Sequence, residues 1–367
     1  MALYLSALTL SHFRSHKLAR LTLDGRPVAL FGANGAGKTN VLEAVSLFSP
    51  GRGLRRSSAQ DMTRRPEALG WKLTGLLSGS ATAREIEITS EGGAARQLRI
   101  DEKPATQSLL AQLARVVWLI PAMDRLWIEG AEGRRRFLDR IALSFAPDHA
   151  EASLVYERAM RERNRLLKDQ VRDAAWYGAL ETQMSEAGVR IDRNRQAALT
   201  RLAQAQEGAA TAFPAADMVL SHPSGPLPDA PQDLRTALAD SRRQDMAAGR
   251  SLLGPHRADL DATYQAKGIP ARDCSTGEQK ALLISVILAN ARALAADIGA
   301  PPILLLDEVA AHLDPDRRAA LYNEIVAVGA QAWMTGTERG LFDALGDRAQ
   351  YFEVTESAGV SDVAPRP

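Results

Sequence analysis

The chain has 367 residues, 46% of them hydrophobic and 24% charged, with a formal net charge of +1. That supports one large domain or two to three smaller ones, and it excludes a chain that holds polyanions through its overall field, so any nucleic-acid contact must be a local patch. A single cysteine, Cys274, excludes an internal disulfide framework and a cysteine-rich zinc site, and with no run of about 18 apolar residues and no basic-then-apolar leader the expectation is a soluble, cytoplasmic protein without a membrane segment.

In chain order, Leu3 to Leu10, Leu18 to Leu23 and Val28 to Phe31 read as strands, the last a short apolar run ending in Gly32. After a glycine-rich segment, Val41, Leu42, Val45 and Phe48 follow helical spacing until Pro50-Gly51 closes the helix. Trp71 to Ile100 is strand-like, with turns at Gly79, Gly92 and Gly93, and Val116 to Ile120 is a strand stopped by Pro121. From 123 to about 210 turn signals are sparse and arginine is dense, with 13 Lys/Arg against 10 Asp/Glu between Arg134 and Thr200. This stretch predicts a helical hairpin or small helical lobe, followed by a Pro/Ser/Ala/Gly-rich connection from Phe213 to Pro231. Cys274 to Gly277 reads as a polar turn before a helix over Glu278–Leu294. Ile303 to Leu306 is a buried strand ending in Asp307-Glu308, Pro315 to about Val328 is a helix, and Ala332 to Thr335 is a strand. The tail beyond Glu356 is expected to be disordered. The fold class is therefore α/β, with a head at 1–122 and 250–367 and an inserted, mainly helical lobe at 123–249.

The segment Gly32-Ala33-Asn34-Gly35-Ala36-Gly37-Lys38-Thr39 has the P-loop pattern, between a strand and a helix as that pattern requires. Its glycines let backbone N–H groups curl around phosphates, and the helix N-terminus adds its positive dipole end. Lys38 reaches the β and γ phosphates of ATP, and Thr39 supplies a hydroxyl to Mg²⁺. Asp307 is the candidate second metal-site residue and Glu308 the candidate base that orients or deprotonates the attacking water. An apolar strand ending in two acids is a weak signal alone; beside a P-loop it gains weight. Ser275-Thr276-Gly277-Glu278-Gln279-Lys280 opens a helix, with Ser275 as N-cap and Glu278 completing a capping box. It also qualifies as a second phosphate-facing helix N-terminus, and the two readings are compatible.

The order P-loop, long insertion, Ser-Thr-Gly-Glu-Gln, acidic strand end and Ala311-His312-Leu313-Asp314 resembles the ABC-type ATPase head. Leu10-Ser11-His12-Phe13-Arg14-Ser15-His16, Glu132 to Asp139, Gly254 to Leu260, Ser275 to Lys280 and Leu306 to Asp314 are similar to the RecF family of such heads, related to SMC proteins. The likeness runs from about residue 3 to 340. It implies ATP and Mg²⁺ as cofactors and a dimer closing over two ATP molecules, in which Ser275 and Gly277 contact the γ-phosphate held by the opposite subunit and Asp314 crosses the interface. It also implies ATP-dependent DNA binding, on gapped, single-stranded or duplex DNA, in recombinational repair and replication restart, support of recombinase loading, weak ATPase activity, and RecR and RecO as partners. The sequence departs from the wider ABC pattern in lacking a clear Q-loop glutamine and a switch histidine; Thr335-Gly336-Thr337 stands where that histidine would be.

Arg158, Arg161, Arg165 and Lys168 span about 80° of a helix surface. They form either a phosphate-tracking stripe or an ordinary solvated face, since Glu157, Glu162 and Asp169 flank them. Arg55, Arg56, Arg64 and Arg65 form a second basic patch, suited to phosphate contact or to solubility. Arg134 to Arg136 contact nucleotide or DNA, or form salt bridges. Two other functions stay open from sequence: the nucleotide subunit of a membrane transporter, and a scaffold that binds ATP without hydrolysing it.

Overall fold

The computed structural model describes residues 3–65, 67–79 and 82–367; positions 80 and 81 of the strand-like stretch lie outside that set. The chain divides into two compact units, one of residues 1–124, 205–215 and 280–367, the other of 125–204 and 216–279.

Among the described residues of the first unit, twelve strands form one mixed sheet. Strands Gln350–Ser357, Val28–Phe31, Ala332–Gly336, Ile303–Leu306 and Val116–Leu119 lie side by side and parallel. Val28–Phe31, Ile303–Leu306 and Val116–Leu119 are continuous apolar runs because a parallel strand is covered on both faces, and Ile303, Leu304 and Leu305 are wholly buried. The other end of the sheet, from Tyr4–Phe13 through Trp71–Ser78 to Arg84–Ser90 and beyond, is antiparallel. There the residues alternate: Trp71, Leu73 and Leu77 are buried while Lys72 is exposed. The helix Lys38–Ser46 buries Val41, Leu42, Ala44 and Val45 in the same core.

The expected disordered tail is instead a strand. Val360–Arg366 pairs antiparallel with Gln350–Ser357 across a two-residue turn, in which Ala358 and Gly359 have φ 51 and 77. Positive φ at both central residues gives the turn the twist a tight hairpin needs. Val363 and Ser361 face inward, and Ser361 pairs with His16 of the strand His16–Thr22.

The second unit contains the helices Ala131–Phe145, His149–Lys168, most of Ala174–Gln206, Pro231–Asp240 and Arg242–Ala248. Three helices thus fill the stretch read as a helical hairpin or small helical lobe. The Pro/Ser-rich connection holds a further element, the strand Ala216–Ser221. It pairs with Asp259–Tyr264 in a three-stranded sheet, and that pairing is why 250–279 packs with this unit. Tyr156, Ala159, Met184, Ile191, Leu234 and Leu238 form its apolar core. Beside them Arg163, fully buried, donates to Glu181, Asp245, Ser251 and the Leu238 carbonyl. Asp139 is a second such node, accepting from both Arg195 and His149.

The helix Thr276–Ile298 is long and apolar enough by composition to cross a membrane, with a mean hydropathy of 1.7 in its most apolar window. That was not anticipated from sequence, where no unbroken apolar run stands out. Its Leu282, Leu283, Val286, Leu288 and Leu294 are buried, so it serves as a core helix.

Candidate nucleotide-binding site

The parallel strands place their carboxyl ends together. Leu306 pairs with Met334 and Phe31 pairs with Gly336, so Gly32 and Asp307 leave the sheet along one edge, with Thr335 near the end of its own strand. Ligands of open α/β sheets bind beyond that edge.

The loop after Val28–Phe31 is shaped by backbone. Gly32 has φ 151, and a Cβ there would lie 2.0 Å from the Val354 carbonyl oxygen. Gly37, at φ 109, caps the helix that begins at Lys38. A Cβ at Gly37 would meet Ser361 Oγ at 2.5 Å, Ser15 Oγ at 2.9 Å and His16 Nε2 at 3.0 Å. The loop therefore rests on a floor made by the turn at Ser15-His16 and by the C-terminal strand. Ser361 Oγ donates to Ser15 Oγ at 2.6 Å, Asn40 Nδ2 donates to the same oxygen at 2.8 Å, and His16 Nε2 lies 3.1 Å from the Gly37 carbonyl. Burial pushes the His16 imidazole pKa down and so favours a neutral ring, outweighing the hydrogen bond to Gly37 that pushes it up.

Lys38 is 5% exposed, and its Nζ donates to the carbonyls of Gly32 and Ala33 at 2.7 and 2.8 Å. Burial lowers its pKa, while Glu308 and Asp307 pull it back up. Thr39 Oγ1 donates to the Asp307 carboxylate at 3.0 and 3.2 Å. Thr335 Oγ1 donates to Asp307 Oδ1 at 2.7 Å and accepts from the Glu308 amide at 2.8 Å. Glu308 has φ 55, a left-handed conformation unusual for glutamate. A hydroxyl, a carboxylate and a glycine loop seated too closely on its floor for a Cβ at Gly32 or Gly37 are what a hard divalent cation and a polyphosphate require. The residues present thus fit Mg²⁺ and ATP.

The pairs Lys38-Thr39 and Asp307-Glu308, far apart in sequence, meet in the first unit; Ser275 and Gly277 lie on the second. Ser275 and Gly277 are exposed, and the space around Gly277 is open to 4 Å. The capping box is formed: Glu278 Oε2 accepts from Ser275 N at 2.8 Å, and Glu278 N donates to Ser275 Oγ at 3.4 Å. Hydrogen bonds from Lys267 and Ser275 hold the Glu278 carboxyl down at about 2. Gln279, buried, ties the turn by donating to the carbonyls of Arg272 and Cys274. Asp314 caps the helix Pro315–Val328, accepting from Arg317 N at 2.9 Å.

The basic residues separate into different environments. Arg158, Arg161, Arg165 and Lys168 are all exposed on one helix, Arg165 lying 4.0 Å from both Glu162 and Asp169. Arg55 donates to Asn40 and to the buried Glu43, which also accepts a bidentate pair from Arg14; Arg56 is exposed. Arg64 does not belong to a surface patch. It is buried, donating to the carbonyls of Ser15 and Gly359 at 2.8 Å each. Arg134 to Arg136 make internal bonds, Arg134 to Asp259, Arg135 to the Ala258 carbonyl and Arg136 to Glu132. Thr335, Ser15, His16 and Ser361 were not anticipated as parts of the site. Their places depend on strand register, which no local pattern carries.

The sheet, the P-loop and the acidic strand end define an ABC-type P-loop ATPase head. The RecF/RecN/SMC N terminal domain family matches residues 4–358. A "DNA replication and repair protein RecF" of Rhizobium etli is 48% identical over 96% of this chain and 97% of its own length, and one of Rhizobium meliloti is 44% identical over 96% and 97%. A solved structure of the recombination mediator protein RecF with ATP, in the RecFOR pathway, superposes with a TM-score of 0.84 at 23% identity, covering 99% of this chain and 98% of that one. An Smc head domain from Pyrococcus furiosus superposes at 0.58 and 16% identity, covering 99% and 96%. The chain belongs to the RecF family.

Proposed function

We propose that this protein is an ATP-gated, dimeric DNA-binding protein of recombinational repair and replication restart, with weak ATPase activity. The observation that carries this reading is the meeting of Lys38, Thr39 and Asp307 at the carboxyl edge of the sheet, beneath a glycine cradle. Lys38 would exchange its two loop carbonyls for phosphate oxygens. Thr39 and Asp307 would hold Mg²⁺, Thr39 by an oxygen lone pair while its O–H goes on donating to Asp307. Bound Mg²⁺ supplies positive charge across the phosphate oxygens. Glu308 would accept a proton from the attacking water.

The signature turn supports a second-copy role. Ser275 and Gly277 are exposed on a turn stiffened by its own cap, which favours a preformed surface for the phosphates of another protomer. Asp314 is proposed, from the family resemblance, to cross to the other protomer. DNA contact is assigned to Arg158, Arg161, Arg165 and Lys168, with Arg55 and Arg56 secondary because Arg55 already serves Glu43. Such binding would be sequence-independent and steeply salt-dependent. RecR and RecO are the proposed protein partners, by analogy with the RecFOR pathway named for the structural relative.

A gel shift on gapped duplex tests the reading. Wild-type protein should retard the DNA with ATP and Mg²⁺ and much less without, and Lys38→Met should lose that difference. DNA binding indifferent to nucleotide would overturn the gating.

A further inference from the structure

Thr335 is the penultimate residue of the strand Ala332–Gly336 and is wholly buried. Its hydroxyl is committed twice. One proton goes to Asp307 Oδ1 at 2.7 Å, which fixes the rotor and leaves a lone pair for the Glu308 amide at 2.8 Å. That amide cannot join the sheet ladder, because the strand ends at Leu306 and Glu308 turns to φ 55. A left-handed glutamate persists only where its surroundings hold it. Here the Thr335 oxygen holds the amide. One side chain therefore sets both the metal-site acid and the backbone of the candidate base.

We infer that Thr335 is a positioning residue for ATP hydrolysis, acting through Asp307 and Glu308. It aims the Glu308 carboxylate by pinning its strained backbone, and it steadies Asp307 at Oδ1, an oxygen that Thr39 also reaches. This deepens the proposed ATPase reading and rests on it. The residue matters for turnover more than for nucleotide affinity, because its contacts run to Asp307 and Glu308, whereas the phosphate cradle is made of other groups.

The test compares wild type with Thr335→Val, Thr335→Ala and Thr335→Ser. Affinity for a fluorescent ATP analogue is titrated at several Mg²⁺ concentrations, and single-turnover hydrolysis is followed with gapped duplex present. Thr335→Val should keep affinity at saturating Mg²⁺ within about threefold and raise the Mg²⁺ midpoint several-fold, while slowing hydrolysis at least about tenfold, a fraction of a general base's usual contribution. Thr335→Ser, which restores the hydroxyl, should recover most of the rate and the Mg²⁺ midpoint. Thr335→Ala carries the same expectation as Thr335→Val should the latter fail to fold. Wild type that binds no nucleotide overturns the ATP reading itself. Wild type that binds but never hydrolyses overturns both the base role of Glu308 and this inference. Wild-type turnover matched by Thr335→Val, or parallel loss of affinity and rate in it, overturns this inference alone.

Discussion

Replacing Ser361 with leucine perturbs the phosphate loop from below, through a strand at the far end of the chain. Ser361 is 1% exposed, and its Oγ lies 2.5 Å from where a Cβ on Gly37 would sit. An isobutyl group there overfills a packed site, which costs about 1–3 kcal/mol, and Ser15 Oγ loses a buried donor worth about 1 kcal/mol. If the hairpin stays docked, the loop yields instead. At about 1.4 kcal/mol per tenfold in an equilibrium constant, ATP affinity should fall roughly 10- to 100-fold. Ser361→Ala removes only the hydrogen bond and should cost less than about fivefold. Val363→Ala, two residues on along the same strand face, should lower the melting temperature while leaving affinity unchanged. Titration of a fluorescent ATP analogue beside thermal melts would measure all three. Ser361→Leu with wild-type affinity, whatever its melting temperature, would refute the idea that the C-terminal strand supports the loop.

Arg163→Met should destabilise the second unit by about 3–5 kcal/mol, because it strands the fully buried Glu181 and Asp245, and its thermal transition should drop on the order of 10 °C; an unchanged melt would deny the network a stabilising role. Burial alone would raise the Asp139 carboxyl, but the Arg195 charge and hydrogen bonds from His149 and Arg195 outweigh it and lower the pKa from 3.8 to about 2. A depressed carboxyl contributes stability that is complete above about 4 and is lost as pH falls toward 2, about 2 kcal/mol in all. Asp139→Asn should flatten that acid limb in denaturant melts, and an identical limb would contradict the assignment. Glu308→Gln should bind ATP normally and accumulate as a long-lived nucleotide-bound dimer; wild-type turnover in it would remove Glu308 as the base.

The head was legible wherever chemistry is local. Val28–Phe31 and Ile303–Leu306 are short apolar runs closed by Gly32 and Asp307, and Pro315 sits after its capping Asp314, so each announces itself. The tail was not, because Val360–Arg366 holds two inward residues, Ser361 and Val363, among polar and small ones; its strand character comes from pairing with Gln350–Ser357. Thr335 looked like a missing histidine, and its value appears only when parallel register brings it beside Asp307. Arg163 sits among the exposed Arg158, Arg161 and Arg165, yet it points inward. A count of basic residues cannot distinguish a surface stripe from a buried node, whereas the turn of the helix does.

The central claim is that ATP joins two copies of this chain through the exposed signature turn. Sedimentation velocity with Mg²⁺ and either ATP, ADP or no nucleotide tests it most directly, on wild type and on Ser275→Arg. Wild type should move from monomer to dimer with ATP alone, and Ser275→Arg should bind ATP yet remain monomeric. A wild-type chain that stays monomeric at saturating ATP, or a Ser275→Arg chain that dimerises like wild type, would contradict the account.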